Sequence, residues 1–131
     1  MARLVTLITG ASAGLGAEFA RQCVKRGEEL VLVRRRRDRL DALAGQLNGR
    51  AHVFPPDLTE PDAAAALLNA VEAEGLAVQT LINNAGFGLA GRFAALAFER
   101  QREMIDLNVR ALTELCRLAV SAMLERRDGA I

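Results

Sequence analysis

Thr9, Gly10, Gly14 and Gly16 fall in the spacing T-G-x-x-x-G-x-G, inside the stretch LVTLITGASAGLG from Leu4 to Gly16. That spacing suits the holding of an anion by bare main chain. Glycine takes backbone conformations closed to other residues, and without a Cβ it lets a ligand come close. A helix starting just beyond such a turn points its unpaired N–H groups and the positive end of its dipole at the turn, which favours phosphate. The apolar run Leu4 to Thr9 reads as a strand, and the residues after Gly14 as a helix. Strand–turn–helix is the setting that separates a nucleotide loop from a chance glycine cluster. Glycines alone do not decide the matter, because any tight strand-to-helix connection can use them.

Further residues extend the pattern. About twenty residues past a glycine loop of this kind, an acidic side chain would hold the ribose 2′-hydroxyl of NAD. This chain has Arg34, Arg35, Arg36 and Arg37 there instead, with Asp38 already on the following helix. Guanidinium forks bind a 2′-phosphate through charge-assisted hydrogen bonds; the bland alternative is a solvated helix start. Ser12 could add a hydroxyl to the same phosphate. Asp57-Leu58 follows the third strand, where an aspartate can equally be a turn residue. Asn83-Asn84-Ala85-Gly86 ends the fourth strand, and asparagines there can cap loose backbone groups. Asn108, in Asp106-Leu107-Asn108-Val109, is a poor interior helix residue because its side chain competes for backbone hydrogen bonds. A plain surface asparagine is the alternative.

Taken together and in this order, TGxxxGxG, Asp57-Leu58, NNAG and Asn108 resemble the short-chain dehydrogenase/reductase family over nearly the whole chain. The resemblance implies an oxidoreductase that uses NADP to move a hydride between nicotinamide and a carbonyl or secondary alcohol. It assigns Thr9, Gly10, Ser12, Gly14, Leu15 and Gly16 to the cofactor turn. Arg35, then Arg36, match the position that selects NADP. Asp57 and Leu58 match the adenine contact, and Asn83, Ala85 and Gly86 the ribose side. Asn108 matches the family's catalytic asparagine, whose backbone distortion holds a water in a proton relay. The family also commonly pairs subunits through a long helix, here residues 98–126, so a homo-oligomer is implied.

The elements that must position these residues alternate. Strands are expected at Leu4–Thr9, Leu30–Val33, Ala51–Phe54 and Val78–Asn83. Leu30–Val33 is apolar without alternation, as in a parallel sheet covered on both faces. Leu15, Phe19 and Cys23 recur every fourth residue and predict the buried face of the first helix, ending near Gly27. Asp38 to Leu47 is helical through Leu40, Leu43 and Leu47. Thr59 reads as the N-cap of a third helix, with Pro61 in its first turn, Asp62 placed for a capping box, and Gly75 closing it. From Phe98 to Arg126 the period is helical throughout. It carries one stripe through Met104, Leu107, Ala111, Leu115, Leu118 and Ala122, and another through Ile105, Leu112, Cys116, Ala119 and Met123. Both stripes could pack within the chain, or one could meet a second subunit. The fold class expected is α/β: one Rossmann-like, doubly wound parallel sheet over residues 1–131, strand order 3-2-1-4, truncated before a fifth strand.

Composition sets the outer bounds. The net charge of +1 gives no argument for nucleic acid or a membrane surface, and no apolar run approaches membrane-spanning length. Two cysteines, Cys23 and Cys116, read as reduced core residues. A cytoplasmic protein is the expectation. The family's proton donor is a tyrosine helped by a lysine four residues on and by a serine. This sequence has no tyrosine; its lysine is Lys25, in the first helix, and its serines are Ser12 and Ser121. The expectation is therefore the cofactor-binding half of such an enzyme, inactive alone. A non-catalytic nucleotide-binding module, or a protein–protein module using the helix stripe, is the other reading.

Overall fold

The structure is a computed structural model that describes residues 1–11, 14–34 and 37–131, with backbone alone for 37–40. Four parallel strands make one sheet: β1 (Arg3–Thr9), β2 (Leu30–Val33), β3 (Ala51–Phe54) and β4 (Leu76–Ile82). Their order is β3-β2-β1-β4, as expected from the sequence. Helices α1 (Gly14–Lys25) and α2 (Arg37–Gln46) carry the crossovers on the β2–β3 half, and α3 (Ala63–Ala73) the crossover into β4. A single 3₁₀ turn (Phe93–Ala95) then leads to α4 (Phe98–Ile105), a π-helical turn (Asp106–Ala111) and α5 (Leu112–Arg126).

Alternation along β1 and β2 makes two core layers. Val5, Leu7, Val31 and Val33 face α3 and α5, against Leu67, Val71, Leu115, Ala119 and Met123. Ile8, Leu30 and Leu32 face the other way, against Ala17, Ala20, Cys23, Leu43 and Leu47. All four β2 residues are buried, which explains why that strand shows no polar positions.

Four expectations need correction. The first helix buries Gly16, Ala17, Ala20 and Cys23, whereas Leu15 is 71% exposed and Phe19 40%. Small residues let α1 lie close on the sheet: a methyl at Gly16 would collide with the Gly10 carbonyl oxygen and sit 2.6 Å from Asn84 Nδ2. Thr59 does not cap α3. Its amide and hydroxyl both donate to Asp57 Oδ1, and Asp62, at φ 62°, takes the cap position without a side-chain hydrogen bond. β4 starts two residues early and stops at Ile82, releasing Asn83 to the loop. The long helix is interrupted by the π turn, which re-phases its stripes: Ala111, Leu115, Ala119 and Met123 are buried, while Ile105, Val109, Leu112 and Leu118 are exposed.

The outer edge of β4 is also partly covered. Arg127, in the left-handed conformation, ends α5, and the chain turns back so that Ala130 pairs in parallel with Thr80. Ala130 donates to Gln79 O at 2.9 Å and accepts from Leu81 N at 3.0 Å. Those bonds occupy backbone groups that a bare edge strand would leave open.

Candidate functional site

The carboxyl ends of β1, β2, β3 and β4 meet around a cleft of about 410 Å³. Its walls are Gly10, Val33 and Arg34, the loop Pro56–Thr59, the segment Asn84–Phe87, and Arg100, Glu103 and Leu107 from α4 and the π turn. In open α/β sheets, ligands bind outside the strands' carboxyl ends where strand order reverses, here between β1 and β4. Val33, Leu58 and Leu107 give the cleft an apolar strip, and Arg34 and Asp57 a charged rim beside it. An adenosine moiety needs that combination: flat apolar walls for a base and polar groups for a ribose.

Hydrogen bonds from strand-end side chains fix the cleft's floor. Thr9 is buried, and its hydroxyl oxygen accepts from both Asn84 N and Ala85 N, each at 3.0 Å. Asn84 Nδ2 donates back to Gly10 O at 3.1 Å. The glycine turn and the NNAG segment are thereby tied across the β1–β4 boundary. A Cβ on Gly10, at φ 64°, would stand 2.9 Å from Ala85 Cα, so this crossing requires glycine. Gly14, at φ 57°, has no atom of the described residues within 4 Å of where a Cβ would be. Helical geometry leaves the first-turn N–H groups without partners inside the helix.

Asn108 lies on the π turn, a distortion frequent at functional sites. Its side chain clasps the loop after β4: Nδ2 donates to Phe87 O at 2.8 Å, and Oδ1 accepts from Phe87 N at 3.0 Å. Its Oδ1 would also lie 3.0 Å from any Cβ on Gly86, so Gly86 is held close under it. Asn83 points elsewhere, donating to Cys116 Sγ at 3.1 Å.

Of the residues singled out by sequence, the cleft brings together Gly10, Asp57, Leu58, Ala85 and Gly86. Thr9 sits beneath it as a brace. Gly14, Leu15 and Gly16 form the adjacent start of α1, Asn83 faces α5, and Asn108 stands just behind Leu107. Ser12, Arg35 and Arg36 lie outside the described residues. Sequence reasoning passed over Arg100 and Glu103 and read Leu107 only as part of a helix stripe; the three share one helical face at spacings of three and four. That periodicity was the available signal. Arg100 is paired with Glu103 and stacks its guanidinium 4.5 Å from the Phe87 ring centroid. Among the described residues, no group of three or more His, Cys, Asp or Glu could hold a metal, and no helix is long and apolar enough to cross a membrane.

A family model described as short chain dehydrogenase matches residues 4–131. Among curated proteins, the chain is 34% identical over 125 residues to the nodulation protein G of Rhizobium sp. strain N33, covering 95% of this chain and 51% of that one. It is 31% identical over 129 residues to the NADP-dependent 3-hydroxy acid dehydrogenase YdfG of Escherichia coli K12, covering 98% and 52%. Among solved structures, a short-chain dehydrogenase from Sphingobium yanoikuyae in complex with NADPH superposes with a TM-score of 0.88 at 37% identity, covering 98% of this chain and 51% of that one. The chain thus spans about half the length of the relatives it matches.

Proposed function

The chain belongs to the short-chain dehydrogenase family, and from that premise we propose that it is the NADP-holding half of an oxidoreductase acting on a carbonyl or secondary alcohol. One observation carries the reading: the Thr9–Asn84–Gly10 knot sets the start of α1 beside a cleft with an apolar strip and a charged rim. Gly14, Leu15 and Gly16 would offer the diphosphate their main chain, and the arginines after Val33 would receive the 2′-phosphate. Val33, Leu58 and Leu107 would flank the adenine, with Asp57 beside its ribose. Gly86 and Ala85 would admit the second ribose. NADPH bound there supplies a hydride for a carbonyl carbon.

Reduction also needs a proton for the developing alkoxide. Asn108, through the distorted backbone of the π turn, would hold a water of the proton relay, while its side chain keeps Phe87 in place. The donor itself is not among this chain's residues. No tyrosine is present, and Lys25 ends α1 at the opposite end of the sheet. The 131-residue chain is therefore proposed to bind the dinucleotide without turning over a carbonyl. The exposed Ile105, Val109 and Leu112 support a homo-oligomer through residues 98–126. Cytoplasmic residence is proposed with it.

Thermal shift and calorimetric titration of the purified chain with NADPH and NADH test the reading. A larger shift with NADPH, lost in Arg35→Asp, is expected. Equal shifts with the two cofactors, or no binding of either, would remove it. Turnover of any carbonyl by the isolated chain, free of contaminating reductases, would refute the missing-donor argument.

A further inference from the structure

We propose that Arg110 is a positioning residue: it ties the loop on the adenine side of the cleft to the π turn that carries Leu107 and Asn108, so that the two walls hold one spacing. This rests on the function given above. Arg110 Nη2 donates to Thr59 O at 2.8 Å, and Nη1 reaches Glu60 O at 3.5 Å. Asp106 Oδ1 lies 3.2 Å from Arg110 Nε and Glu114 Oε2 3.6 Å from Nη1. These carboxylates, four residues to either side, keep the guanidinium aimed across the gap. The side chain is only 29% exposed, so solvent and salt screen it less than a surface pair. The rigid planar fork meets two successive carbonyls and a carboxylate from separate nitrogens, whereas lysine would have to serve them all from one.

The held loop transmits the constraint. Asp57 Oδ1 accepts from the amide and the hydroxyl of Thr59, and Glu60 N donates to Asp57 O at 3.0 Å. The turn 57–60 is closed on itself, so fixing the Thr59 carbonyl fixes Asp57 and Leu58 with it. On the other side, Arg110 shares its π turn with Leu107, which lines the cleft, and with Asn108, which clasps Phe87. One guanidinium joins the β3–α3 loop to the π turn, and Asn108 on that same turn holds the loop after β4.

The test is calorimetric titration of the 131-residue chain with NADPH and with adenosine 2′,5′-bisphosphate, which probes the adenine half alone. Wild type, Arg110→Ala, Asp57→Ala and the double variant are compared. Arg110→Ala and Asp57→Ala are each expected to weaken both ligands about tenfold, and the double variant little more than either single, because both changes act through one loop. Amide exchange over residues 57–60 should quicken in Arg110→Ala. A purely structural role, spread over the whole fold, would instead give independent losses that multiply to about a hundredfold in the double variant. That result, or unchanged affinity in Arg110→Ala, overturns the proposal. Should Arg110→Ala not fold, Arg110→Lys enters the same cycle with a smaller expected loss, and full wild-type affinity there overturns the proposal equally. A wild-type chain that binds neither ligand removes the cofactor reading itself; a wild-type chain that binds, beside an Arg110 variant that binds equally, removes only this inference.

Discussion

Thr9→Val isolates the hydroxyl that joins the two loops of the cleft. Valine has nearly the shape of threonine and the same β-branched preference for a strand. By burial alone the change should be harmless or better, since it replaces a hydroxyl with a methyl worth about 0.8 kcal/mol at a buried site. The hydrogen bonds reverse that expectation. Thr9 Oγ1 accepts two main-chain bonds of 3.0 Å, from Asn84 N and Ala85 N, at a residue only 2% exposed. A buried donor left unpaired costs about 1–3 kcal/mol. Asn84 and Ala85 are partly buried, so about 1–2 kcal/mol each is appropriate, and the net loss is about 1–3 kcal/mol. For a domain of this size that is a fall in Tm of roughly 4–12 °C. Thr9→Ser retains the oxygen and loses one methyl, for about 1 kcal/mol. Thermal and urea unfolding, followed by circular dichroism, should rank wild type above Thr9→Ser and Thr9→Ser above Thr9→Val. NADPH affinity should follow the same order. A valine variant as stable as the wild type would refute the bracing role and leave Thr9 an ordinary core residue.

Two glycines in helices should respond with opposite signs. Gly16→Ala meets the Gly10 carbonyl, a backbone obstacle that cannot swing aside, and should lose about 1–3 kcal/mol despite alanine's better helix propensity. Gly45→Ala, in α2 with open space around it, should gain about 0.5–1 kcal/mol; equal shifts in the two variants would refute the close approach of α1 to the turn. Asn108→Ala removes both bonds to Phe87 and should speed amide exchange at Phe87, while changing global Tm by a few degrees at most; unchanged exchange there would show that the loop is held by something else. Burial pushes the Cys23 thiol up, so the folded chain holds that proton more tightly than the unfolded chain does. Its contribution to stability is complete below the ordinary thiol range and declines as pH rises through the raised folded value. Urea midpoints of the wild type should therefore fall above about pH 9 more steeply than those of Cys23→Ala; parallel profiles would contradict the shift.

The strands were legible because each is a short, mainly apolar stretch with a glycine, a proline or a charge at one or both ends; their alternation with helices indicated a parallel sheet, and the resemblance implied its order. Helix faces were harder to read. A period of four through Leu15, Phe19 and Cys23 looked like a core stripe, yet the seat of α1 is made by Gly16, Ala17 and Ala20, whose value lies in having little side chain. Hydrophobicity patterns weigh large residues and miss close approach. The π turn was legible only in part: the resemblance implied a distorted backbone at Asn108, but nothing in Asp106-Leu107-Asn108-Val109 except that asparagine departs from helical composition, so its extent over residues 106–111 and its bonds to Phe87 were not. Likewise Thr59 had the composition of an N-cap, but Asp57, two residues away, offered its amide and hydroxyl a nearer partner. Local side-chain hydrogen bonds compete with caps on nearly equal terms, and sequence alone does not rank them.

The strand-end polar residues divide their labour in a way that bears on specificity. Thr9 and Asn84 spend their hydrogen bonds tying the glycine turn to the NNAG segment, Asn83 turns toward Cys116, and Asn108 clasps Phe87. These bonds shape the floor, and nothing in them distinguishes one dinucleotide from another. Main chain at a helix start likewise meets any diphosphate, since it reads charge and not identity. On the function proposed above, discrimination would then fall to the residues that follow Val33, where β2 ends and the sequence turns to arginines. A floor built wholly from internal bonds is insensitive to which guest arrives, so a change of cofactor preference would require substitutions at that short stretch and would leave the knot beneath it intact.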